Sequence, residues 1–336
     1  MLRSLSTVMP RESEIISRLR ARRSAGAEVL VGIGDDAAVI KGRAGRDVLA
    51  CCDLMVEGVH FRTEWTPPRL LGHKALAVNL SDIAAMGGVA RFALVSIAVP
   101  ARFPSDSIDQ LFEGLFELAG RYDVSIVGGD TSSSRDSLFI DVSVIGDCAS
   151  GRAVTRAGAR PGDTIYVSGS LGGSSVGLSL LEEGVRLEDD DGFQEALLKH
   201  LAPEPRLRLG HALGEAGLVT SMIDISDGLS TDLWHLLEES NCGAVIRSGA
   251  IPIAECTRRY AGSRGADSLR LALNGGEEYE LLFTAPADSS SEFKKLNKSL
   301  GITITEVGEV VEERGLQIEI RGALSPLLPS GYEHAI

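Results

Sequence analysis

Basic residues are scarce in this chain: 33 Lys and Arg stand against 47 Asp and Glu, a formal net charge of −14 over 336 residues. Nucleic-acid binding draws on a basic footprint over the phosphates, so this balance speaks against a nucleic-acid partner, and an anionic membrane would repel it. No apolar run approaches the ~18 residues of a membrane span. Cysteine is sparse and odd in number, at five, with Cys51 and Cys52 adjacent and no CxxC pair. Neither a disulfide framework nor a zinc site is indicated, and a reducing, cytoplasmic setting fits. The GxxxxGK[ST] phosphate loop is missing, as are the HRD and DFG sets of protein kinases. No nucleophile stands beside a recognisable base: His60 and His73 are isolated, and Cys51 and Cys52 read as strand residues with no chemistry of their own.

What is present is glycine, 38 residues, in a chain that is 44% hydrophobic and 24% charged. The length suits two domains. The segments VLVGIG, AAVIK and DVLACCD read as short strands bounded by Gly or Asp. Pro67 and Pro68 open a helix, LLGHKALAVNLSDIAAMG, that Gly87 and Gly88 close. FALVSIAVP is a strand. A second helix starts at Pro104 and Ser105, with Ile108, Leu111, Phe112, Leu115 and Phe116 as one apolar stripe. VSIVGG and LFIDVSVIG follow as strands, and the polar, Gly-rich GRAVTRAGARPGD reads as a domain joint. Beyond it TIYVSG, SMIDI, AVIR, YELLFT and TEVGEVV are strands with helices between them, one of them from about Ser174. The class is α/β or α+β in two domains, divided here into 1–148 and 149–336. Residues 1–10 read as a loose extension followed by a surface helix. Their arginines resemble a transit peptide, but Glu12 and Glu14 interrupt the pattern.

The aspartates occupy unusual places. Asp35 and Asp36 follow GIG, Asp53 ends a predicted strand, Asp130 follows VGG, and Asp224 and Asp227 bracket a strand-to-helix junction. Asp82 lies inside an apolar helix, where a carboxylate must be paired, hydrogen-bonded or metal-bound. One such Asp is an ordinary turn residue, and Asp227 alone reads equally as a helix cap. As a set they suit Mg²⁺, which takes a few carboxylates together with waters and substrate phosphates. GIGDDA matches the dinucleotide pattern GxGxxA in form, but two carboxylates would face the pyrophosphate and a strand follows in place of a helix, so that reading is rejected. The loop GSLGGSSVG, Gly169 to Gly177, reads equally as a phosphate cradle or as a tight strand-to-helix joint.

The segments GIGDDAAVI, DLMVEGVHF, KALAVNLSDIAAMGG, IVGGDTSSS, TRAGARPGD, IDISDGLSTDL, NGGEEYELLFT and GYEH occur in this order over nearly the whole chain. Together they resemble the thiamine-monophosphate kinase family, within the ATP-binding superfamily of aminoimidazole ribonucleotide synthetase. VEGVHF, NLSDIAAMGG and the GGE-Y segment are specific to the kinase. The resemblance implies ATP-dependent phosphorylation of thiamine monophosphate to thiamine diphosphate with several Mg²⁺ ions. It implies two α/β domains, the N-terminal one binding ATP and Mg²⁺ and pairing its sheet with a second copy in a homodimer. It implies metal ligands at Asp36, Cys52, Asp53, Asp82, Asp130, Asp224 and Asp227. Gly129, Asp130, Arg156 and Ser226 match ATP-contacting positions, and His60, Glu277 and Tyr332 match positions that hold the acceptor.

Three departures from the family pattern are visible. Cys51 stands where the family often has Ser, and a thiol is a poor Mg²⁺ ligand. Glu278 replaces the commoner Asp. Ala335 follows His334 in place of an aromatic residue. The expected chemistry needs no general base, because a phosphate monoester is mostly ionised at neutral pH, its second pKa being about 6. Metal ions held by Asp residues would offset the repulsion between two polyanions and an acidic protein. A carboxylate such as Glu277 and a ring such as Tyr332 would suit a cationic thiazolium, and Arg156 could grip an ATP phosphate.

Overall fold

The computed structural model describes residues 29–31, 35, 38–41, 45–189 and 192–332. The expected N-terminal extension and helix, and Asp36, lie outside the described residues.

Two mixed sheets organise the chain. The first has six strands in the order β1-β2-β3-β6-β4-β5: β1 (Val29–Val31), β2 (Ala38–Ile40), β3 (Arg46–Val56), β4 (Val89–Pro100), β5 (Ser125–Ser134) and β6 (Phe139–Ala149). Between them run α1 (Pro68–Ala85) and α2 (Ser105–Tyr122). Strand β3 shows how the sequence selects its faces. Leu49 and Met55 turn inward and are buried, while the alternate Cys52 and Leu54 are exposed, the period-2 pattern of a half-buried strand. Its register with β6 sets Cys52 opposite Ser143 and Leu54 opposite Asp141. On this outer face Leu54, Phe92, Leu94, Val127 and Ile145 remain exposed.

The second sheet has seven strands in the order β13-β12-β9-β11-β7-β10-β8: β7 (Asp163–Ser168), β8 (Ser221–Asp224), β9 (Gly243–Arg247), β10 (Leu281–Pro286), β11 (Ile304–Val311), β12 (Gly315–Ile320) and β13 (Ala323–Pro326). Its helices are α3 (Gly173–Glu182), α4 (Gln194–Leu201), α5 (Leu207–Ala216), α6 (Leu229–Ser240), α7 (Glu255–Arg264), α8 (Ser268–Asn274) and α9 (Ser290–Leu300). Strand β10 serves two cores at once. Leu281, Phe283 and Ala285 join an apolar cluster with α1 and α2, while Leu282 joins Ile165, Val167, Ile223 and Leu233 on the other side. The central strands are thus buried on both faces, which explains the unbroken apolar run of LLF. Tyr166, Phe283 and Phe293 pack ring on ring at 4.8–5.5 Å between centroids.

The link between the sheets, residues 150–162, carries no regular element. No helix among the described residues is long and apolar enough to cross a membrane.

Two expectations are corrected in detail. Asp53 does not end its strand, which continues to Val56. The apolar stripe of α2 runs through Leu111, Leu115, Leu118 and Ala119, whereas Phe116 is 56% exposed and only leans on Phe112. Phe116 lies five residues from Leu111, which on a helix of 3.6 residues per turn carries it beyond the buried edge.

Candidate active site

Helix α1 supplies the floor of the site. It lies between the two sheets, and thirteen of its 18 residues are buried. Two glycines let it approach its neighbours: a Cβ on Gly72 would stand 1.8 Å from the Leu111 carbonyl oxygen of α2, and one on Gly210 of α5 would stand 2.1 Å from that of Ala84. Lys74, Val78 and Asp82, spaced four residues apart, present one face of α1 to a cleft. From β3 the cleft takes Asp53, Leu54 and Met55, and His60 comes from the loop that follows. From the second domain come Asp224 at the end of β8, Ser226, Glu277 and Tyr279. The site is therefore interdomain, and neighbouring α1 residues clamp it. Ser81 Oγ donates to Asp224 Oδ2 at 2.5 Å, and Lys74 Nζ meets Glu277 Oε1 at 2.7 Å.

The GGEEYE segment is fixed through its backbone. The Glu277 N–H donates to the Ser226 carbonyl at 2.7 Å, and the Tyr279 N–H to that of Ile225 at 2.9 Å. Glu277 and Tyr279 both adopt left-handed backbone, with φ of 60° and 51°. For residues other than glycine this conformation is strained by roughly 1–2 kcal/mol each. The three glutamates then diverge. Glu277 reaches Lys74 and, at 3.2 Å, His200 Nδ1. Glu278 Oε1 accepts the Ser174 N–H at 3.1 Å, and its Oε2 is buried with no hydrogen-bond partner. Glu280 takes a two-pronged grip from Arg206 and a hydrogen bond from Ser168.

The Glu278 contact decides between the two readings of the GSLGGSSVG loop. The N-terminus of α3, where an anion would bind, already holds a carboxylate of the chain itself, so the loop is a packed joint. Burial pushes the Glu278 carboxyl up to about 7 despite Lys199 nearby.

Electrostatics tie the cleft together. Burial first, then the carboxylates of Glu277, Asp53, Asp224 and Asp82, push the Tyr279 hydroxyl well above its usual range. Burial, with Asp82 and Asp53 adding, does the same to the Cys51 thiol, whose Sγ lies 3.4 Å from the Asn79 carbonyl oxygen. Asp53, Asp82 and Asp224 thus form one field of negative charge. Burial and Lys74 push His200 down to about 4, against the pull of Glu277, so its ring is neutral. His60 is oriented by its own backbone: Nδ1 accepts the Val56 N–H at 3.0 Å, which leaves Nε2 to carry the proton.

The structure brings Asp53, His60, Asp82, Asp224, Ser226 and Glu277 to one cleft. Other expected residues stand elsewhere. Asp130 is exposed on β5, and register places it level with Ser96, which pairs in turn with Asp141 on the open face of the first sheet. Cys52 is on that face too, with Sγ 3.2 Å from Asp141 Oδ2, and burial and Asp141 raise its thiol pKa despite Ser143. Gly129, at φ 149°, is held to glycine because a Cβ would meet the Val95 carbonyl oxygen at 1.7 Å. Arg156 lies in the interdomain link, its N–H donating to Asp35 at 3.2 Å and its Nε 3.8 Å from that carboxylate.

Asp227 does not cap α6. Gly228 holds the cap position, and Asp232 from the first turn accepts the N–H groups of Asp227 and Gly228 at 3.1 and 3.0 Å. The C-terminal segment docks beside this loop: Tyr332 N–H donates to the Asp227 carbonyl at 3.0 Å, with its side chain half exposed.

Sequence reasoning missed Lys74 and Tyr279. The signal for Lys74 was available, since it is a charge inside the same apolar helix that drew attention to Asp82.

Among the described residues, no three His, Cys, Asp or Glu side chains gather closely enough to cage a metal ion by themselves. The side chains of Asp53, Asp82 and Asp224 are oxygen donors, the ligand type that Mg²⁺ takes.

Residues 34–148 match the family profile described as AIR synthase related protein, N-terminal domain, and residues 160–321 match the corresponding C-terminal domain. Thiamine-monophosphate kinase of Bacillus subtilis is 35% identical, the match covering 96% of this chain and 99% of that protein. The enzyme of the same name from Escherichia coli K12 is 36% identical, over 96% and 98%. Among solved structures, that of AaThiL complexed with AMPPCP and TMP superposes with a TM-score of 0.85 at 30% identity, covering 96% and 97% of the two chains. On the fold, the cleft and these relatives together, the chain belongs to the thiamine-monophosphate kinase family.

Proposed function

We infer that this chain catalyses the transfer of the γ-phosphoryl group of ATP to thiamine monophosphate, giving thiamine diphosphate. The carrying observation is the interdomain cleft, which unites the carboxylates Asp53, Asp82 and Asp224 with Glu277 and His60 in a chain whose relative was solved with AMPPCP and TMP. Asp53, Asp82 and Asp224 are the proposed Mg²⁺ ligands at the cleft, and Asp130, Asp227 and Asp36 the further ones. Cys52 is left aside because its thiol is held protonated. These carboxylates would hold Mg²⁺, which when bound would supply charge neutralisation for the phosphates. Gly129, Asp130, Arg156 and Ser226 are proposed to contact ATP. His60 offers an Nε2–H donor, and Glu277 and Tyr332 offer a carboxylate and a ring for the thiazolium cation.

The acceptor oxygen is already anionic, so the residues need only orient it in line with the γ-phosphate and exclude water. Direct transfer inverts configuration at the γ-phosphorus; retention with chiral ATP would show a phosphoenzyme. The reading itself is tested by incubating the purified protein with ATP, Mg²⁺ and thiamine monophosphate. Thiamine diphosphate is expected, and its absence, with the protein folded, overturns the assignment.

The open apolar face bearing Leu54, Phe92, Leu94, Val127 and Ile145 supports a homodimer through paired N-terminal sheets. Leu94→Glu is expected to sediment as a monomer, and an undisturbed dimer would refute the pairing. The proposed division of labour places ATP, Mg²⁺ and dimer contacts in 1–148 and the C-terminal α/β domain in 149–336, in a cytoplasmic enzyme.

A further inference from the structure

Lys74 is among the largest fully buried side chains of the described residues. An ammonium withdrawn from water is costly unless paired, and its partner is the Glu277 carboxylate across the domain boundary at 2.7 Å. Glu277 is itself held in an unfavourable backbone conformation, φ 60°, directly after two glycines. Had the turn been the purpose, glycine would serve; keeping a glutamate there points to its side chain. That side chain lines the cleft and is still 27% exposed to it.

We propose that Lys74 is a positioning residue for the acceptor, holding the Glu277 carboxylate charged and aimed into the cleft. The proposal rests on the reading of Glu277 as a contact to thiamine monophosphate. Glu277 is faced by Lys74 from α1, His200 from α4, His60 from the loop after β3, and Tyr279 from its own segment, with Asp53, Asp82 and Asp224 in the same cleft. Burial acts to raise the Glu277 pKa, yet Lys74 above all, with His200 and His60, lowers it below the usual carboxylate value. Lys74 is the largest contribution opposing burial, so removing it weakens that opposition most. Glu277 then takes up its proton at a higher pH than in the wild type and loses its attraction for a cation.

The experiment measures KM for thiamine monophosphate and for ATP between pH 6 and 8 in wild type, Lys74→Met, Lys74→Arg and Glu277→Gln. Taking the ratio of variant to wild type cancels the titration of the acceptor phosphate. Lys74→Met is expected to raise the acceptor KM about tenfold at pH 8, and the ratio to grow further as the pH falls to 6, where more of the Glu277 carboxylate is protonated. Lys74→Arg keeps a ratio that does not change with pH, and the KM for ATP stays within about twofold in both.

A Lys74→Met ratio that is flat with pH, or the same growth in Lys74→Arg, overturns the proposal and leaves Lys74 a structural charge. If Glu277→Gln leaves the acceptor KM unchanged, the assignment of Glu277 to the acceptor is wrong and the proposal falls with it. If Glu277→Gln raises that KM while Lys74→Met shows no pH growth, only the proposal falls. Should Lys74→Met fail to fold, the double variant Lys74→Met/Glu277→Gln removes the buried pair together. Its acceptor KM should match that of Glu277→Gln alone, and any further loss contradicts the positioning role.

Discussion

Helices α1 and α2 have equal length and lie against each other, yet they do opposite work. Helix α2 is buried along one stripe, with five of its 18 residues inside, and its far side meets solvent. Helix α1 is buried almost all round, because one side meets α2 and the first sheet while the other meets the second domain. A surface helix can scatter charge over its outer face without consequence. On α1 the enclosed polar side chains have defined partners: Asn79 Nδ2 donates to the Ala75 carbonyl, Ser81 holds Asp224, and Lys74 holds Glu277. Two of these α1 side chains thus reach residues of the cleft, Asp224 and Glu277, whereas on α2 Arg121 and Tyr122 pair with Glu204 away from it.

The largest expected effect tests that contrast on α1. Asp82→Asn removes one carboxylate from the cleft at nearly constant volume and should lower kcat by about 100-fold or more, the scale of losing one electrostatic group at a reacting centre. Activity should vanish likewise in excess chelator. Wild-type turnover of the variant would make Asp82 a mere structural carboxylate. An intermediate effect is expected where the helices touch. Gly72→Ala sets a methyl against the Leu111 carbonyl and should destabilise by about 1–3 kcal/mol through overpacking, read as a lowered Tm; an unchanged Tm would mean that the contact yields freely. The smallest effect belongs to the outer side of α2. Phe116→Ser should change stability by less than about 0.5 kcal/mol, and a larger loss in urea unfolding would show that Phe116 is covered.

Much of this was legible in the sequence. The Pro67-Pro68 start and Gly87-Gly88 end of α1, the irregular link and nearly every strand were marked by turn chemistry and apolar runs. Among site residues, Asp82 was found because its charge contradicted its surroundings. Asp53 and Asp224 were found by motif, but their meeting across two domains depends on how the sheets pack, which no local pattern records. The outward turn of Phe116 was misjudged because consecutive apolar residues blur the edge of a helical stripe. Asp232, which binds the backbone of the Ser226–Asp227 loop, looked like any first-turn acid.

The apolar cluster centred on α1 takes no notice of the domain boundary: Leu76 and Leu80 share it with Tyr166, Leu209, Phe283 and Phe293. The first sheet's core is therefore completed by residues of the second half, which has a further core of its own. Cutting the link at 150–162 would leave two fragments that stay associated, since parting them would wet a large oily surface. Heating the intact chain should give one calorimetric transition in place of two. An N-terminal half exchanged for that of a relative would function only if the residues opposing α1 were exchanged with it, so the two halves are inherited as a matched pair.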